Sequence, residues 1–237
     1  MTQAKITSRI SPWLICIVYP LTDKIILPLY FNKLEISGQE NVPRSGPVLV
    51  APTHRSRWDA IIVPYSTGRL VTGRDLRFMV TASEMRGFQG WIIHQFGGFP
   101  VNLERPGPGS LRHSVELLLQ GEMVVVFPEG GIFRDNEVHP LKRGAARIAL
   151  DVETEKPGNG IKILPISIKY SQPVPSWGCD IRVKIGVPLD VAPYHSDKIK
   201  QSTKELTAAL ETTIKELHQD PVESEPMDNV SADIITS

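Results

Sequence analysis

The chain has 237 residues, enough for one α/β domain with a full apolar core. Hydrophobic residues make up 41%, charged residues 22%, and 26 basic side chains balance 26 acidic ones. Zero formal net charge excludes whole-molecule attraction to nucleic acid or to an anionic bilayer, so any anion must be met by locally placed Arg and Lys. The two cysteines, Cys16 and Cys179, are too few for a disulfide framework and suit a reducing compartment.

Residues 11–31, SPWLICIVYPLTDKIILPLYF, are the most apolar stretch. Pro20 and the Thr22-Asp23-Lys24 triplet divide it into pieces of about ten, whereas one bilayer span needs roughly 20 apolar residues. No small-residue cleavage site follows, as a signal peptide would require. The segment reads as an anchor of two short helices in one leaflet, with Trp13, Tyr19 and Tyr30 at headgroup depth. The other reading is a helical arm packed on its own domain. Residues 1–33 form this unit, 34–218 a globular domain, and 219–237, polar and acidic with two prolines, a disordered tail.

In the domain, LEIS (34–37) is a short strand and GPVLVAP (46–52) the first core strand. Ser56 is placed to cap the helix that carries Asp59 to Val63. LRFMVTA (76–82) is the next strand, and Ser83 the cap of a helix with Trp91, Ile92 and Phe96, stopped by Gly97-Gly98. FPV (99–101) is a short strand, and the prolines and glycines of NLERPGPG make a loop. Ser110 to Gln120 is a helix with Leu111, Val115 and Leu118 on one stripe. MVVVFPE (123–129) is an unbroken apolar strand, the kind buried on both faces. Arg143 to Val152 is a small-residue helix, ILPISIKY and IRVKIGVPL are strands, and Ser196 to His218 is a long amphipathic helix. The alternation predicts an α/β fold with a mixed, mostly parallel central sheet covered by helices.

Ligands of such sheets collect at the carboxyl ends of the strands, and three polar stretches fall there: His54, Asn102 to Arg105, and Glu129. Five positions on one helix would set His54 and Asp59 about 140° apart. They meet only if His54 precedes the helix and Asp59 lies in its first turns. An aspartate on one imidazole nitrogen leaves the other free to take a proton from a hydroxyl. Ser56-Arg57-Trp58-Asp59 is equally a capping-box pattern, in which Asp59 serves only the helix end. Glu129, followed by Gly130 and Gly131, suits a backbone that turns sharply against a ligand, or a plain tight turn. Lys142 sits just before a helix N-terminus, where anions are favoured, and Arg105 and Arg134 are further candidates for a phosphate. No nucleotide-binding glycine loop, G-x-S-x-G elbow or metal-finger spacing is present.

Four blocks in order resemble the glycerolipid acyltransferase family that includes the 1-acylglycerol-3-phosphate O-acyltransferases. They are the HX4D motif His54-Arg-Ser-Arg-Trp-Asp59, then Gly98-Phe-Pro-Val-Asn102-Leu-Glu-Arg105, Phe127-Pro-Glu-Gly130 with Lys142-Arg-Gly144, and Ile163-Leu-Pro165-Ile-Ser-Ile168. The match covers roughly residues 34–190. Leu103 and Ile132 stand where the family pattern has arginines, which leaves Arg105, Arg134 or Lys142 to meet an acceptor's phosphate. The resemblance implies direct acyl transfer from acyl-CoA or acyl carrier protein to a lysophospholipid hydroxyl, most naturally lysophosphatidate in phospholipid synthesis. His54 is then the base, Asp59 its orienter, and Glu129, Gly130 and Gly131 bind the substrate and line the site. It implies no metal or organic cofactor, and a location on the cytoplasmic face of a membrane. Another lysophospholipid, another lipid hydroxyl, or a retired lipid-binding role are the alternatives.

Overall fold

The computed structural model describes residues 6–102 and 107–219. The first helical unit corrects the two-piece expectation. α1 (Pro12–Leu21), a π turn (Thr22–Ile26) and α2 (Leu27–Tyr30) run on without a break as one helix, Pro12–Tyr30, long and apolar enough to cross a membrane. Trp13, Ile17, Leu21, Ile25 and Leu29 recur every fourth residue and are all exposed. A step of four overshoots a 3.6-residue turn by about 40°. The looser π turn absorbs part of that drift and holds the stripe to one side of the helix. Ile15, Thr22 and Leu27 are buried against the domain, and the Tyr65 hydroxyl donates to Asp23 at 2.9 Å.

Among the described residues the sheet has eight strands in the order β1-β7-β6-β2-β5-β3-β4, with β8 paired to β6. They are β1 (Phe31–Ser37), β2 (Val48–Pro52), β3 (Leu76–Thr81), β4 (Gly98–Val101), β5 (Met123–Val125), β6 (Lys162–Tyr170), β7 (Cys179–Ile185) and β8 (Leu189–Asp190). β6, β2, β5, β3 and β4 are mutually parallel; β7 and β8 meet β6 antiparallel, and β1 runs parallel to β7. The helices are α3 (Asp59–Thr67), α4 (Arg69–Thr72), α5 (Gly87–Gln95), α6 (Pro108–Leu119), α7 (Gly144–Glu155) and α8 (Ile199–Gln219).

β2 is buried along its whole length. Leu49 and Ala51 face one apolar cluster, shared with α6, α7 and α8; Val48 and Val50 face the other, shared with α2 and α3. The small residues Ala145, Ala146 and Ala149 let α7 pack close, and α8 buries Leu206, Leu210 and Ile214. Burying each of those α8 side chains contributes about 1.5–3 kcal/mol. The chain emerges from adjacent parallel strands β6, β2 and β5 at Tyr170, His54 and Glu129, so three distant segments converge at one end of the sheet.

Two cap expectations are corrected. α3 begins at Asp59 with Trp58 in the N-cap position, and α5 begins at Gly87 with Arg86 there; neither has a side-chain cap bond. Ser83 lies in a turn before α5. The tail expected to be disordered falls almost wholly outside the described residues.

Candidate active site

The loop between β2 and α3 carries the pair. His54 Nδ1 lies 2.9 Å from Asp59 Oδ2. The same oxygen accepts from the backbone N–H of Arg55 at 2.7 Å and of Ser56 at 2.9 Å. The Tyr170 hydroxyl donates to Asp59 Oδ1 at 2.7 Å. Burial first, and then the Asp59 charge, push that hydroxyl well above its ordinary pKa, so it stays protonated and a donor. Asp59 is completely buried and accepts from four groups. The two readings of the motif therefore coexist. Asp59 makes the backbone half of a capping box with Ser56 and orients the imidazole with the same oxygen. With Nδ1–H donating to Asp59, Nε2 is left as an acceptor.

The His54 ring stacks on Phe127, centroids 3.9 Å apart. Its backbone is fixed as well: its N–H donates to Glu129 Oε2 at 2.8 Å, and its carbonyl accepts from the Phe133 N–H at 2.9 Å. Its side chain keeps 19% of its surface exposed, so solvent or a ligand reaches it.

Glu129 sits behind His54, with its side chain fully buried. Arg55 meets both its oxygens, Nη1 at 2.9 Å and Nη2 at 3.1 Å. The N–H groups of His54 and His139 complete its set. Its carboxylate is thus occupied within the protein, and it bears on the site through the two backbones it holds. Arg55 also donates to the Glu137 carbonyl at 2.8 Å, tying the 130–143 loop down. Sequence reading did not single out Arg55 or Tyr170. The only signals were an arginine next to the motif histidine and a tyrosine ending an apolar strand.

Gly130 has φ +73°, a left-handed conformation that favours glycine. A Cβ there would lie 2.5 Å from the Lys142 side chain. Gly131 has room for one, in ordinary contact with the Phe133 ring. Lys142 lies over the turn, its N–H donating to the Pro128 carbonyl at 2.8 Å. Arg134 is exposed on the same loop, and Arg105 lies outside the described residues. A second imidazole–carboxylate contact, His139 to Asp135 at 2.8 Å, sits on this loop, and that bond holds the Asp135 carboxyl below its usual range.

Such an arrangement can take a proton from a hydroxyl held at His54 Nε2 and stabilise the resulting imidazolium through Asp59. The Acyltransferase family model matches residues 33–169. The 1-acyl-sn-glycerol-3-phosphate acyltransferase of Bacillus subtilis is 30% identical over 206 residues, 82% of this chain and 92% of that one. The human 1-acyl-sn-glycerol-3-phosphate acyltransferase alpha is 28% identical over 193 residues, 73% of this chain and 63% of that one. The crystal structure of the 1-acyl-sn-glycerophosphate (LPA) acyltransferase of Thermotoga maritima superposes with a TM-score of 0.56 over 80% of this chain and 74% of that one, at 23% identity, and shares the fold. The chain belongs to the acyltransferase family, and it is an acyltransferase.

Proposed function

We propose that the enzyme moves a fatty acyl chain from acyl-CoA or acyl carrier protein to the free hydroxyl of lysophosphatidate, at the cytoplasmic face of a membrane. The observation that carries the reading is the His54–Asp59 contact with Nε2 left open. His54 removes the hydroxyl proton as the oxygen attacks the thioester carbonyl. The C–O bond forms, the C–S bond breaks, and the imidazolium returns the proton to the departing thiolate. Asp59, held by Tyr170 and two backbone amides, stabilises the imidazolium between the two transfers. Arg134 and Lys142, with Arg105 in the same role, meet the acceptor's phosphate. The names of the bacterial and human relatives support this acceptor.

The amphiphilic acceptor fits the Pro12–Tyr30 helix. Both helix ends are bonded into one domain: the Ser11 N–H donates to the Gln95 carbonyl at 2.9 Å, and the Gly178 N–H to the Tyr30 carbonyl at 2.8 Å. A helix tied down at both ends suits a position in the plane of the interface, exposed stripe toward lipid.

His54→Ala tests the reading in an assay of acyl transfer to lysophosphatidate. Loss of a general base lowers the rate by roughly 10²–10⁴; a variant near the wild-type rate overturns the assignment. Ile132, standing where the family pattern has an arginine, favours the second reading, another lysophospholipid or lipid hydroxyl. A panel of acceptors with one donor separates the two, since equal rates on non-phosphorylated acceptors would remove the phosphate-binding role of Arg134 and Lys142.

A further inference from the structure

The loop joining β6 to β7, residues 171–178, reads SQPVPSWG and carries no charge. Val174 is 57% and Trp177 65% exposed. The loop is nonetheless ordered by the end of the long helix. The Tyr30 hydroxyl donates to the Pro175 carbonyl at 3.2 Å, the Gly178 N–H donates to the Tyr30 carbonyl, and the Trp177 and Tyr30 rings meet edge-on at 5.7 Å. Tyr30 also lies 4.5 Å from Trp58, the neighbour of Asp59.

At its other end the helix meets α5 through Ser11 and Gln95. There α5 carries an exposed, stacked Phe88–Trp91 pair, centroids 5.8 Å apart. The helix that bears the stripe from Trp13 to Leu29 is thus bonded at each end to an element with exposed aromatic side chains.

We propose that the 171–178 loop is a second lipid-docking element, seated in the same bilayer interface as the helix stripe; this rests on the membrane-bound reading above. Three features select lipid as the occupant. The loop is bonded directly to Tyr30, at the end of the helix that bears the stripe. Trp177 joins a broad apolar ring to one N–H donor, the combination that settles at headgroup depth. Pro173 and Pro175 have no backbone N–H, so the loop is ill suited to pair as a strand with a second protein chain. Docking there turns the Tyr30–Trp58 side of the site toward the interface, where a lysophospholipid presents its hydroxyl.

The test uses the full chain. Cys179 is buried, so Cys16→Ser with Val174→Cys leaves one reactive thiol for an environment-sensitive fluorophore. On phosphatidylcholine vesicles the label shifts to the blue and is quenched by nitroxide lipids. A label that stays unshifted while the protein floats with the vesicles overturns the proposal. So does a blue shift on concentrating the protein without lipid, which marks a contact between copies. In parallel, Val174→Ser/Trp177→Ser lowers the rate on vesicle-embedded lysophosphatidate about 10-fold or more and leaves the rate on a monomeric short-chain lysophosphatidate unchanged. Equal losses on both acceptors mean a structural role and overturn it. Should the wild-type enzyme turn over neither acceptor, the lysophosphatidate reading fails while the fluorophore still reports on docking.

Discussion

Arg55 and Glu129 form a buried two-bond ion pair, 2.9 and 3.1 Å long, directly behind His54. Seventy-four residues separate them, and the neighbouring positions of β2 and β5 bring them together. Glu129→Ala leaves the guanidinium without its counter-charge and destabilises the protein by about 3–5 kcal/mol, read from the denaturation midpoint. Arg55→Met with Glu129→Leu removes both charges and recovers much of that loss. Activity stays low in the double variant, because the His54 N–H has lost its acceptor. Recovery of activity along with stability would show that the pair does not position His54.

Tyr170→Phe removes one of four donors to Asp59 and keeps the ring in the core. A hydrogen bond to a charged group contributes about 1.5–3 kcal/mol. Kinetics should show kcat lower by about tenfold or more with KM unchanged, since the loss falls on the imidazolium-stabilising carboxylate. A change in KM alone would place Tyr170 in substrate binding instead.

His218 responds to acid. Its Nε2–H donates to the Asn136 carbonyl at 3.0 Å, so Nδ1 accepts from the Ser167 hydroxyl at 2.9 Å. Burial, then the charges of Lys169 and Arg55, hold its pKa down to about 4. The unfolded histidine titrates near 6.5. Between these values the unfolded chain binds the extra proton, so stability falls as pH drops from about 6.5 toward 4, by up to about 3 kcal/mol. Above pH 7 this group contributes no slope. His218→Gln should flatten that part of the stability–pH curve; an unchanged curve would mean the imidazole is not the sensor.

Gly130→Ala and Gly131→Ala should differ. A side chain in the left-handed conformation of Gly130 costs roughly 1–2 kcal/mol, and its Cβ displaces Lys142. The Gly130 variant should lose thermal stability and show a higher KM for the phosphorylated acceptor. Gly131→Ala makes only ordinary contacts and should stay near wild type in both assays. Equal effects would remove Lys142 from the acceptor site.

Ile17→Asp and Ile25→Asp test the helix stripe without touching its buried face. Removing residues 1–31 would also remove Ile15, Leu27 and Phe31 from the core and confuse anchoring with folding. The charged variants should leave the vesicle-bound fraction while keeping the wild-type melting temperature. Unchanged flotation would rule out the stripe as the main contact.

Much of this site is legible locally. A buried apolar strand, a histidine beyond it and an aspartate five residues on define a loop before a helix, and α3 does begin at Asp59. Local signals misled at residues 11–31, where Pro20 and a polar triplet looked like a break. Pro20 is accommodated inside α1 and the triplet lies in the π turn at Thr22–Ile26, and the domain packed beneath Thr22 and Leu27 holds the helix together. The Ser56 and Ser83 caps fell short for a similar reason: Ser56 Oγ accepts from the Trp58 N–H in the turn ahead of α3, and α5 starts a turn after Ser83.

The sequence by itself determined most of the strands and helices, their alternation, and the four blocks that identify an acyltransferase, because periodicity and turn chemistry depend on residues close along the chain. Only the tertiary structure decided that Glu129 pairs with Arg55 behind His54, that Tyr170 completes the Asp59 shell, and that the 171–178 loop joins the end of the helix. Those contacts span 74, 111 and about 145 residues. They exist because β6, β2 and β5 lie side by side, an order set by burying both faces of the sheet at once and carried by no single stretch of the chain.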